Sequence, residues 1–97
     1  LKAKFIMQEL QKNDHYKIIG IEISAGTNMP RHFTTSDAYV IVESGNALLI
    51  YKSETSELKK GMSLSIPSHE PHILKVIEDF KAYIVLANDA VITYSVL

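Results

Sequence analysis

Gly26-Thr27-Asn28-Met29-Pro30-Arg31-His32-Phe33-Thr34 and Gly61-Met62-Ser63-Leu64-Ser65-Ile66-Pro67-Ser68-His69-Glu70-Pro71-His72 decide the fold of this chain. Each stretch opens on a turn glycine and delivers one histidine, His32 or His72, to the edge of a segment that reads as a strand. Side chains of a strand alternate between its faces, so His32 and Thr34 share one face, and His72, Leu74 and Val76 share another. Met62 to Ile66 alternates apolar and polar with the same period of two, as a half-buried strand does. Pro67 and Pro71 fence the loop that turns His72 inward.

Outward from these stretches the pattern stays that of strands. Lys17 to Ser24 sets Ile19, Ile21 and Ile23 on one face and Ile18, Gly20 and Glu22 on the other. Tyr39 to Glu43 reads as a mostly buried strand, with Ala38, Val40 and Val42 on one face and Tyr39 and Ile41 on the other. Ser44-Gly45-Asn46 ends it with hairpin chemistry, because glycine and asparagine accept positive φ. Ala47 to Tyr51 is answered by Ser56 to Lys59 across a polar turn at Lys52-Ser53-Glu54-Thr55. His72 to Ile77 and Phe80 to Leu86 read as two strands around Glu78-Asp79, and Val91 to Val96 as a last one. Only Phe5 to Lys12 has a pattern compatible with a helix. Eight or nine short strands separated by turns predict an all-β sandwich or barrel, and closure limits exposed edges in so short a chain.

At 97 residues the chain has the size of one domain, 1–97, since two separate cores would each be too small to stabilise themselves. Hydrophobic residues at 46% and charged residues at 22% place it with globular proteins and away from disordered ones. A net charge of -1 supplies no general pull toward nucleic acid or an anionic membrane surface. The longest apolar runs, Ile18 to Ile21 and Ala82 to Ala87, fall far short of the roughly 20 residues of a spanning helix. No basic-then-apolar signal pattern opens the chain at Leu1. Without cysteine there is no disulfide framework, thiolate site or cysteine nucleophile, which fits a cytoplasmic protein. No glycine-rich phosphate loop and no nucleophile-elbow serine occurs.

The two quoted stretches resemble the paired motifs of the cupin family, G-x5-H-x-H-x3-4-E-x6-G and G-x5-P-x-G-x2-H-x3-N. Gly26 and His32 take the first two positions, Thr34 stands at the second histidine, Ala38 at the glutamate and Gly45 at the closing glycine. In the second motif Gly61, Pro67 and His72 match, while His69 replaces the glycine and Val76 the asparagine. The resemblance covers residues 17 to 87 and implies an all-β, cupin-type jelly-roll β-barrel. It also implies that His32 and His72 occupy positions where cupins hold a divalent metal such as Fe, Mn, Ni or Zn.

Two imidazoles are one donor short of the three that a tight first-row metal site usually has. His69, three residues before His72, is the candidate third ligand, with Asp37 beside the vacant glutamate position as another. The competing reading keeps His32, Thr34 and His72 as hydrogen-bonding groups lining a pocket for a small polar organic ligand. Tyr51, Phe80 and Tyr83 read as core before they read as pocket wall. His15, in the polar run Lys12 to His15, reads as a solvated surface residue. The functional expectation is a small-molecule-binding barrel, with a metal-dependent oxygenase or isomerase as the alternative. The resemblance further implies a homodimer, paired through an edge strand or through exchange of terminal strands, for which Leu1 to Leu10 and Val91 to Val96 are the candidate segments.

Overall fold

The computed structural model describes residues 3–95, which leaves Leu1, Lys2 and Val96 of the expected pairing segments outside the described residues. Eight strands and no helix occur among them: β1 (Phe5–Lys12), β2 (Tyr16–Ile23), β3 (Asn28–Thr34), β4 (Ala38–Ile50), β5 (Thr55–Lys59), β6 (Ser63–Ile66), β7 (His72–Ala87) and β8 (Ile92–Tyr94). All pairings are antiparallel.

The architecture follows from two long strands that each serve two layers. The first part of β4 pairs with the second part of β7, from Ala38↔Leu86 to Val42↔Ala82, and β2, β1 and β6 complete a sheet in the order β1-β2-β7-β4-β6. The second part of β4 pairs with the first part of β7, from Ala47↔Val76 to Ile50↔Ile73, and β5, β3 and β8 complete the order β5-β4-β7-β3-β8. The two layers curl into the expected jelly roll, with Ile21, Ile23, Leu49, Leu58, Val76 and Phe80 filling its centre. Burial of each such side chain contributes about 1.5–3 kcal/mol.

Three segments differ from the sequence-based expectation. Phe5–Lys12 is a strand and not a helix, because its backbone pairs with β2 from Phe5↔Ile23 to Lys12↔Lys17. Ser44-Gly45-Asn46 does not end a strand. It lies within β4 as a series of register shifts, and Glu78-Asp79 likewise lies within a continuous β7. Gly45 sits at φ 89°, where an added Cβ would run into the Asp79 carbonyl. The glycine thus permits a close crossing of two bent strands, a use of positive φ that hairpin chemistry imitates in sequence.

The alternation expected of β4 is present, with Ala38, Val40 and Val42 buried and Tyr39 and Ile41 exposed. On the outer surface of the β1-β2-β7-β4-β6 sheet lie Ile6, Leu10, Tyr39 and Ile41, exposed by 40%, 48%, 44% and 42%. The Lys81 ammonium lies 3.1 Å from the Glu43 carboxylate on the same surface, and the Tyr83 hydroxyl donates to Glu43 at 2.9 Å.

Candidate functional site

Strand register places the two motif histidines side by side. His32 of β3 is the direct partner of His72 of β7, so both side chains leave the sheet on one face. Their ring centroids lie 4.2 Å apart with planes at 66°, and the residues are only 5% and 3% exposed. Thr34, two residues along β3 and equally buried, shares that face.

Local backbone geometry orients each imidazole. His32 Nδ1 lies 2.6 Å from the Pro30 carbonyl oxygen, and His72 Nδ1 lies 2.8 Å from that of Glu70. A carbonyl oxygen only accepts, so each Nδ1 carries the proton and donates it. Burial pushes the His32 pKa down to about 4, the Pro30 carbonyl pulls it partly back, and the neighbouring His72 lowers it slightly further. His72 is also lowered, by burial first, against the opposing effects of the Glu70 carbonyl and carboxylate. Both rings are therefore neutral near pH 7, and each Nε2 is an unshared lone pair. Neither Nε2 has a hydrogen-bond partner among the described residues. The Thr34 hydroxyl donates to the Ser36 carbonyl at 2.6 Å, which leaves only its own lone pairs free.

These three residues form the polar end of a cavity of about 40 Å³ whose remaining walls are apolar, among them Met29, Leu49, Leu58, Phe80 and Ile84. Tyr94 of β8 stands beside His32, with centroids 5.8 Å apart, and Tyr51 stands beside His72 at 5.9 Å. Burial raises the Tyr51 pKa, with Glu70 and Glu54 adding to the shift, so its phenol stays protonated. Tyr51 reads as core in the sequence, and no motif marks Tyr94 or Met29. Strict alternation would set Met29 on the face opposite His32 and Thr34; the register shift in β3 between Met29 and His32 brings it inside, and no sequence pattern shows that shift.

His69 is held apart from the pair. Its φ is 61°, which explains why a glycine belongs at this point of the motif, and its backbone N–H donates to the Thr34 carbonyl at 2.8 Å. The exposed ring lies 5.6 Å from Phe33, which alternates with His32 and Thr34 and so faces away from them. Asp37 is also exposed and accepts the Ser68 N–H at 2.9 Å, tying the proline-fenced loop to the start of β4. Ala38, at the glutamate position, is buried against the cavity.

No group of three His, Cys, Asp or Glu side chains among the described residues is placed to hold a metal ion. A dication would meet two neutral nitrogens and no carboxylate, leaving its charge uncompensated in an apolar wall. The chain's own donors therefore do not make a fitting site for a resident divalent metal. What they make is an oriented pair of acceptors at the end of an apolar chamber.

A model of the cupin domain matches residues 21–88. A conserved protein of unknown function from Streptococcus pyogenes superposes with a TM-score of 0.78 at 25% identity, covering 88% of this chain and 75% of that one. A cupin superfamily protein from Desulfitobacterium hafniense gives 0.81 at 17% identity, over 89% and 79% of the two chains. The DMSP lyase DddQ from Ruegeria pomeroyi gives 0.79 at 19% identity, covering 90% of this chain and 50% of its own length. The comparison with curated proteins gave no match.

Proposed function

The chain belongs to the cupin family, and from that premise we propose that it is a binding barrel for a small organic molecule. The ligand's polar end is held by His32 and His72, with Thr34 beside them. The single observation behind this reading is the pair of unpartnered Nε2 atoms at the end of an apolar cavity. Acceptors that line a chamber and have no protein partner favour a guest that completes them.

A second reading is a metal-dependent oxygenase or isomerase, in which His32 and His72 would supply two ligands and the substrate or water the rest. The Nδ1–carbonyl bonds favour it, because they orient imidazoles as metal sites do, and the missing third donor weighs against it. Metal analysis of protein prepared without chelator separates the two. The binding-barrel reading expects substoichiometric Fe, Mn, Ni and Zn even after incubation with excess ions. Near-stoichiometric metal that disappears in both His32→Ala and His72→Ala would replace it with the enzyme reading.

We also propose that two copies pair through the outer surface of the β1-β2-β7-β4-β6 sheet. On that surface β1 carries Ile6 and Leu10, and Tyr39 and Ile41 stand exposed on β4. Five strands spaced about 4.8 Å apart give a face about 24 Å wide. Lys81 and Glu43 carry opposite charges on that surface and suit a two-fold pairing.

A further inference from the structure

Every polar side chain that lines the barrel cavity is an acceptor. His32 and His72 spend their Nδ1 protons on the carbonyls of Pro30 and Glu70, and Thr34 spends its hydroxyl proton on Ser36. The other lining residues are apolar, with no carboxylate or amide side chain among them. A guest carboxylate or phosphate would therefore meet lone pairs on all sides and lose its hydration without gaining a donor. A cation would find no compensating charge. A neutral donor, an O–H or N–H group, satisfies both demands.

We infer that the barrel selects a small uncharged hydrogen-bond donor, such as a short alcohol, that donates to the Nε2 of His32 or His72 and buries its hydrocarbon part against the apolar walls. The inference rests on the small-molecule-binding reading above and specifies its ligand class. Direction of hydrogen bonding carries the selectivity: a site that offers only acceptors discriminates most strongly against guests that bring only acceptors, because both partners then stay unpaired. The half-exposed Tyr94 and the partly buried Tyr51 flank the histidines and leave the acceptors themselves unpartnered.

Ethanol, acetonitrile and acetate are close in size and differ in donor capacity and charge, so they test the inference on the full chain. Titration of each, followed by the imidazole ¹⁵N resonances, is expected to give ethanol at least about tenfold tighter binding than acetonitrile or acetate, with the Nε2 signals moving most. In His32→Phe or in His72→Phe the ethanol affinity falls toward that of acetonitrile. The three-probe comparison in the unchanged protein keeps the test valid where a histidine replacement unfolds the barrel. Acetonitrile or acetate binding in the cavity as tightly as ethanol would overturn the donor requirement and leave the binding-barrel reading standing. Absence of cavity binding by all three probes would overturn both.

Discussion

The inside of the barrel around His32 and His72 and the outer surface of the β1-β2-β7-β4-β6 sheet are both largely apolar, yet they deal with their polar groups in opposite ways. Outside, Glu43 receives both Lys81 and Tyr83, and Tyr39 bonds to Ser63 at 2.7 Å, so the polar atoms are paired while apolar side chains stand in water. Inside, the apolar side chains are buried and two Nε2 atoms have no hydrogen-bond partner among the described residues. A surface with paired polar groups and exposed carbon suits a broad, flat partner. A chamber with buried carbon and open lone pairs suits a small guest.

The comparison breaks most readily from the inside. Phe80→Ala empties the centre of the barrel, where Phe80 is 2% exposed, and is expected to lower unfolding free energy by about 3–5 kcal/mol in urea denaturation. A loss below about 1 kcal/mol would mean the interior repacks and the chamber is not preformed.

Acid is the next largest perturbation. His32 titrates near 4 when folded and near 6.5 when unfolded, so the unfolded chain binds more protons between those values. The associated stability is fully present above about pH 6.5 and is lost progressively as pH falls toward 4, a change of at most about 3 kcal/mol. The lowered His72 pKa acts in the same direction. Unfolding midpoints measured from pH 7.5 to 4 in the wild type and in His32→Phe check this. A slope of the same size in the variant would assign the pH dependence elsewhere.

On the outer sheet, Ile41→Glu should leave thermal stability within about 0.5 kcal/mol and weaken self-association at least about tenfold by sedimentation equilibrium. Ile77 is similarly exposed but lies outside the five-strand surface, and Ile77→Glu should not change association. Equal effects of the two variants would show that the proposed face does not mediate pairing. The smallest expected change is a gain: His69→Gly relieves the left-handed backbone and should stabilise by about 0.5–1 kcal/mol, less the lost contact with Phe33.

The glycine and histidine spacings made the barrel and the His32–Thr34–His72 grouping legible in the sequence, because period-two alternation assigns faces without tertiary knowledge. Donor direction was not legible, since it depends on where the Pro30, Ser36 and Glu70 carbonyls point after folding. Gly45 shows a second limit. Positive φ is a local property, and only the approach of β7 distinguishes a bend within a strand from the turn of a hairpin. β1 shows a third, as a strand with both faces exposed lacks the alternation by which strands are recognised.

The continuity of β4 and β7 through both layers also bears on how the chain reaches its native state. Their ladder joins Ala38 to Leu86 and Ile50 to Ile73, and no tight turn connects the two strands to start it. Large loops must close before any of these rungs form, so assembly is governed by chain topology more than by local preference. Once formed, the same ladder ties both halves into one cooperative unit, and the amide protons at its centre should exchange only through global opening.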